Sequence, residues 1–291
     1  MVFTQLLFNG LIAGAIYALV ASGFSLIYST NKFVHFAHGS VVAFGAYILF
    51  TLFAILHLDF ALAILLTIVF SALFGVLLNR VYGLLRKRHA SSVILLIASL
   101  ALLILLESVI LAVFGAEVKT IDVIPVARGL DFLGAIITPL QIVIIIVSLV
   151  LLAGLFLFLK YTKMGKALRA VADNPEKAEI VGISSQRMFD ISFAIGSGIA
   201  GVAGILVGLE QNLEPTMGTA LIIKGFTGAV VGGITSVPGA ILGSFLLGLS
   251  ENFGIWFLPS GYKDAIAFVI LFVFLLLRPQ GILGVKGGID D

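Results

Sequence analysis

Apolar runs of about twenty residues follow one another along this chain, separated by short polar breaks. A helix needs about 20 residues to cross a hydrocarbon core roughly 30 Å thick. Runs of that kind lie at 5–29, 36–57, 60–82, 91–114, 139–160, 188–211, 218–234, 237–257 and 263–282. The seventh is the weakest: it is short, glycine-rich and holds Lys224, so a re-entrant or broken helix is an alternative there. The pattern predicts an all-α integral membrane protein. Residues 1–291 would form a single transmembrane domain, a polytopic bundle of 8–9 transmembrane helices, with one structured polar loop at 160–187.

Composition changes the picture only by closing alternatives. The chain is 60% hydrophobic and 11% charged, with mean hydropathy +1.22, whereas an ordinary soluble domain carries about 25% charged residues. There is no cysteine, which removes disulfides, Fe–S clusters and thiolate zinc sites. The net charge of +2 is spread over span ends and makes no single basic patch, so no nucleic-acid partner is expected. The first residues, MVFTQLLFNGLIAG, lack a basic leader and a small-residue cleavage site and read as a retained first span.

Short cytoplasmic loops collect Lys and Arg, and this sets an orientation. With nine crossings and the N-terminus outside, 13 of the 17 basic residues fall inside: Lys32, then Arg80, Arg86, Lys87 and Arg88, then six in 160–187, then Arg278 and Lys286. Only Lys119, Arg128, Lys224 and Lys263 lie elsewhere. Nine crossings is the working topology, with the C-terminus and loop 160–187 cytoplasmic.

That loop reads as two short helices around a turn. KMGKALRAVA carries good helix formers with Leu168, Val171 and Ala172 on one face. It should stop near Asp173, since a residue before proline is steered out of the α region. DNPEKAEIVG then holds a start and a stop: Asn174 as N-cap, Pro175 at the first helical position, Glu176 in the first turn and Gly182 past the end. Ser184 or Ser185 would cap the next span. So short a helix is not stable alone in water, and Ala178, Ile180 and Val181 need protein cover. A self-contained loop and a docking element both satisfy that need.

Three stretches carry a family resemblance. GKALRAVADNPEKAEIVGI resembles the cytoplasmic coupling loop of ABC-importer permeases of the branched-chain amino-acid family. NGLIAGAIYALVASGFSLIYSTNKFVHFAHGSVVAFGAYI is similar to that family's N-terminal signature, with His35 where Asn is usual. AVVGGITSVPGAILGSFLLGLSENF resembles its glycine-rich C-terminal signature. The resemblance implies a transmembrane permease subunit of an ATP-driven importer, lying in a bacterial or archaeal inner membrane. Two permease subunits, alike or different, would form the pathway. Separate ABC ATPase subunits, which hold ATP and Mg, would dock below, and an extracytoplasmic binding protein would deliver substrate. No catalysis and no cofactor are expected in this chain, which has no G-x-x-x-x-G-K-[ST] phosphate loop. Coupling to the ATPases would then fall to Gly165, Leu168, Arg169, Asp173, Asn174, Pro175, Glu176, Ala178, Gly182 and Ile183. Branched-chain or related apolar amino acids are the implied substrates. Urea or short amides in the same family, or a self-sufficient carrier or channel, are the alternatives.

The remaining candidates concern the pathway. Fourteen of the 32 glycines fall between Gly196 and Gly254. Gly204/Gly208 and Gly239/Gly243 let helix backbones approach, and Gly228, Gly232 and Gly233 mark a segment, 225–239, that is tightly packed, unwound along the pathway, or both. Glu107, Glu210 and Glu251 fall toward outer span ends, with Glu214 just beyond. They are either interfacial carboxylates or an acidic mouth that favours a substrate ammonium. His35 and His38 make half a metal site without a third ligand at metal spacing, so no metal is expected and a cytoplasmic interface position is. The outer segment 115–138 is a docking surface for the binding protein or an unspecialised connection.

Overall fold

The computed structural model describes residues 2–121 and 129–284; Arg128 and Lys286, counted above for charge, lie outside them. Helices stand where the apolar runs place them. They are α1 (Val2–Asn31), α2 (His38–Leu49, continued by wide π-helical turns over Phe50–Ile55), α3 (Phe60–Lys87) and α4 (Ser92–Phe114). A two-stranded antiparallel hairpin follows, β1 (Leu130–Phe132) and β2 (Ala135–Ile137). Then come α5 (Pro139–Tyr161), α6 (Lys163–Asp173), α7 (Pro175–Ile180), α8 (Ser185–Glu210), α9 (Met217–Gly232), α10 (Val237–Gly254) and α11 (Lys263–Leu277). Several starts are fixed by a side-chain oxygen that accepts an otherwise orphaned N–H: Asp59 before α3, Ser91 before α4, Ser184 before α8 and Ser236 before α10.

Among the described residues seven helices are long and apolar enough to cross a membrane by themselves, or eight crossings result if one bent pair counts as a span. That pair is α9 and α10, which meet at 115° across Gly233–Ser236. The nine-crossing working topology therefore loses its independent seventh and eighth spans. The cause is local: Gly233 takes φ +116, Ser236 caps α10 and Pro238 occupies its first turn.

The chain divides into two compact units. One is drawn from Leu26–Pro125 and Ala153–Ile222. Its centre is α8, whose residues from Gly196 to Gly208 are all buried. Small residues make this possible. On α3 the positions Ala63, Thr67, Ser71 and Gly75 recur every fourth residue and are buried, while Leu62, Leu65, Val69, Leu73 and Leu77 point outward. A Cβ on Gly45 of α2 would sit 2.8 Å from the Gly201 Cα, and one on Gly75 would collide with Ser197. These helices meet backbone to backbone.

The other unit comprises Met1–Ser25, Val126–Leu152 and Ile223–Asp291. Here the first part of α1 runs between α9 and α10. A Cβ on Gly14 would lie 2.9 Å from the Phe245 Cα, and one on Gly10 3.0 Å from that of Leu249. Phe24 meets Phe226 edge to face at 5.8 Å. The β1–β2 hairpin is tied to α1 by Gln5, which donates to the Ile136 carbonyl (3.1 Å) and accepts from the Ile136 N–H (2.8 Å), replacing a missing strand neighbour. After α11 the chain returns to the α9–α10 break: Ile282 and Leu283 donate to the carbonyls of Val231 and Gly232 at 2.9 and 2.8 Å.

Candidate functional site

The loop between α5 and α8 is built as the local sequence requires. Thr162 caps α6 by accepting from the Gly165 N–H at 2.9 Å, and its hydroxyl donates back to the Phe158 carbonyl at 2.7 Å. Gly165 is buried against the last turn of α5, where a Cβ would be only 2.6 Å from the Leu159 backbone. Asn174 then caps α7, accepting from the Lys177 N–H at 3.0 Å, and Pro175 follows at the first helical position. Gly182 takes φ +85, a conformation that favours glycine, and Ser185 donates to the Pro175 carbonyl at 3.0 Å. Leu168, Val171, Ala178 and Met188 form a small apolar core, with Ile183 packed on it. Burying a Leu or Val side chain contributes about 1.5–3 kcal/mol, which is what holds a six-residue helix in place.

What remains outside is equally specific. Ile180 and Val181 are 84% and 72% exposed, directly after the exposed charges of Glu176, Lys177 and Glu179. Asp173 is exposed as well, and its carboxylate partly offsets the burial that lowers the pKa of Lys32. Arg169 is exposed, but its guanidinium donates to the Lys160 carbonyl at 3.3 Å and so closes the end of α5.

Directly beyond this loop, the first turns of α8 are held by a polar network that the sequence did not announce. Asp190 accepts from Asn79 at 2.7 Å and pairs with Arg80 at 3.2 Å. Ser192 accepts from Thr30 at 3.0 Å and from Asn31 at 3.1 Å, and Arg86 donates to Asn31 at 2.7 Å. The Arg86 guanidinium also covers the rings of Phe33 and Phe189, at 5.6 and 4.8 Å from their centroids. His35 and His38 lie beside this network, fully buried. The interface position expected for them is therefore corrected: His35 shares a hydrogen bond of 3.0 Å with the Tyr82 hydroxyl inside an aromatic cluster with Phe33 and Phe193. Burial first, then His38 and Arg86, holds the His35 imidazole neutral, its pKa well below the ordinary value. Among the described residues no three His, Asp or Glu converge as a metal site.

The glycines singled out by spacing are contact points. A Cβ on Gly204 would collide with the Val42 carbonyl and lie 3.0 Å from the Ala46 N, and one on Gly208 would be 3.3 Å from the Ala46 Cβ. Gly232 and Gly239 face each other so closely that neither has room for a side chain, and a Cβ on Gly228 would be 2.9 Å from the Ser244 Cα. Gly243 packs against Gly228 and Gly232. The alternative of an unwound segment over 225–239 is corrected: 225–232 is helical, and only Gly233–Ser236 is non-helical.

The acids expected at outer span ends separate by unit. Glu107 accepts from Thr219 at 2.7 Å and lines a cavity of about 320 Å³ with Ser108, Leu111, Val118 and Glu214. Glu210 ends α8 and is half-buried. Glu251, in the other unit, is 1% exposed and bound to Lys224 at 2.6 Å. Lys224 also meets Asp264 at 2.7 Å, and the Tyr17 hydroxyl donates to the second Glu251 oxygen at 2.9 Å. Lys224 and Glu251 were each visible as charges in apolar runs. Their pairing was not, since they sit on the two arms of a bent pair whose angle no local pattern gives.

Residues 6–275 match the family described as branched-chain amino acid transport system / permease component. The high-affinity branched-chain amino acid transport system permease protein BraD of Pseudomonas aeruginosa is 36% identical over 97% of this chain and 96% of its own length. The corresponding LivH protein of Escherichia coli is 33% identical over the same shares. The solved structure of PsaBC from Streptococcus pneumoniae in complex with a Fab is similar in fold, with TM-score 0.50 at 13% identity, covering 94% of this chain and 91% of that one.

Proposed function

The chain belongs to the branched-chain amino acid transport permease family, and from that premise we propose that it forms the membrane pathway of an ATP-driven importer for branched-chain or related apolar amino acids. It is a multi-pass membrane protein, and the inner membrane of a bacterium or archaeon is the compartment this reading assigns. Relatives matched over nearly the whole chain are named for branched-chain amino acids, which favours that class over urea, short amides or a self-sufficient carrier.

One observation carries the coupling role: a six-residue helix, α7, seated by the Asn174 cap, the turn at Gly182 and an apolar base, yet leaving Ile180 and Val181 bare after its charges. A loop serving only itself would bury them. In the proposed assembly this face docks on a separate ATPase subunit, and movement of the nucleotide-bound ATPases is passed through the base of α6–α7 to α5 and α8. The network at Asp190 and Ser192 carries it onward to α1 and α3 within the same unit. ATP then supplies the differential stabilisation of two pathway states. The N-terminus lies outside and the C-terminus inside, a second permease subunit completes the pore, and a binding protein delivers substrate to the outer face near the β1–β2 hairpin.

Affinity capture of the tagged chain from its own membranes in mild detergent tests this reading. An ABC ATPase should co-purify, and capture should fail for a chain carrying Ile180→Asp and Val181→Asp while the protein stays inserted. Equal ATPase recovery with that double variant would refute α7 as the docking face.

A further inference from the structure

Three ionic groups on three helices form a continuous string in the unit that contains α9 and α10. Asp264, at the start of α11, has a side chain 77% exposed; Lys224 of α9 is 10% exposed; Glu251 of α10 is 1% exposed. The string runs from open surface to closed interior through contacts of 2.7 and 2.6 Å. Tyr17 of α1 completes its inner end by donating to Glu251 at 2.9 Å. Beside it Lys263 donates to Asn252 at 3.2 Å.

As a brace this is a poor choice. Removing two charges from water costs more than their attraction commonly returns, and apolar residues of the same size pack the same space at least as well. Ionisable groups kept inside a membrane-spanning region are by default functional. Here their chemistry has a definite complement, because an α-amino acid carries one ammonium and one carboxylate, the same two groups that already face each other in the Lys224–Glu251 pair.

We propose that Tyr17, Lys224, Glu251 and Asp264 form a transit site for zwitterionic α-amino acids, an inference that rests on the amino-acid importer reading above. The substrate ammonium takes the place of Lys224 on Glu251 and Asp264. Its carboxylate is received by the Lys224 ammonium and the Tyr17 hydroxyl. Glu251 and Asp264 exchange Lys224 for the substrate ammonium, and Lys224 exchanges its two carboxylates for the substrate's one, so no buried ion is left bare as the substrate arrives. When the substrate leaves inward, the Lys224–Glu251 pair closes behind it. The site reads the backbone end common to all amino acids and leaves the side chain to be selected elsewhere.

The test uses the whole importer, purified with its ATPase subunits, reconstituted in proteoliposomes and supplied with its binding protein and radiolabelled L-leucine. In the Lys224→Met, Glu251→Gln double variant both charges go together, so neither is orphaned. Its leucine uptake should fall at least about tenfold, the effect of losing one good ionic contact. ATP hydrolysis stimulated by the leucine-loaded binding protein should persist. Uptake unchanged in the neutral double variant would overturn the site, and so would parallel loss of uptake and stimulated hydrolysis, the mark of a brace. A wild-type complex that moves no leucine, isoleucine or valine would instead overturn the substrate class, and the site with it.

Discussion

Gly204 shows how far a single carbon atom governs this fold. A Cβ there is blocked by the Val42 carbonyl and the Ala46 N, both parts of a backbone that cannot step aside. Gly204→Val should therefore destabilise the protein by about 2–3 kcal/mol, read as a lower unfolding temperature in detergent. Gly154→Ala, inside α5 where nothing stands within 4 Å, should not lower it. His35 yields a pH dependence of known sign. Its folded pKa is lowered from 6.5 by burial, so as pH falls the unfolded chain takes up the proton first. Stability is full above that value and declines below it, and His35→Gln should flatten the decline in a thermal series between about pH 8 and pH 5. Residues of this kind were unevenly legible. The glycines announced close packing through their four-residue spacing, but nothing local distinguishes a histidine under water from one among Phe33, Tyr82 and Phe193.

The elements were more readable than their partners. Asn174, Pro175 and Gly182 spell a helix in a dozen letters because caps and breakers act through the backbone next to them, and α7 lies between them as expected. Replacing Pro175 and Gly182 together should leave the chain inserted and ATPase-bound in part, yet abolish uptake; normal uptake would refute the coupling role of α7. Arg169 is a less direct probe than its charge promised, since its guanidinium closes α5 at the Lys160 carbonyl. Reversing it would disturb the seat of α6 as well as any docking surface. Leu168→Ala, which empties the apolar base, should loosen 163–183 by about 2–4 kcal/mol and appear as faster proteolysis within that loop. The break between α9 and α10 was placed too widely, at 225–239, because glycine marks both a helix that packs closely and a helix that ends.

At the scale of the molecule the hydropathy profile found every long helix but not the number of crossings, since a bent pair and two spans contain the same residues. The absence of native cysteine offers a clean assay with single introduced cysteines. Gly134→Cys should react with an impermeant reagent from outside and Glu176→Cys only from within. Thr235→Cys, at the bend, should react from within if the pair dips from the outer face; outside labelling there would reverse the topology. The return of Ile282 and Leu283 to the carbonyls of Val231 and Gly232 also governs when the protein can mature. On the ribosome the bend is made well before the segment that closes it, while the start of α1 waits longer still for the helices that flank it. Until translation reaches Leu283 this unit cannot close, and its open bend is a natural client for the insertion machinery and for quality-control proteases.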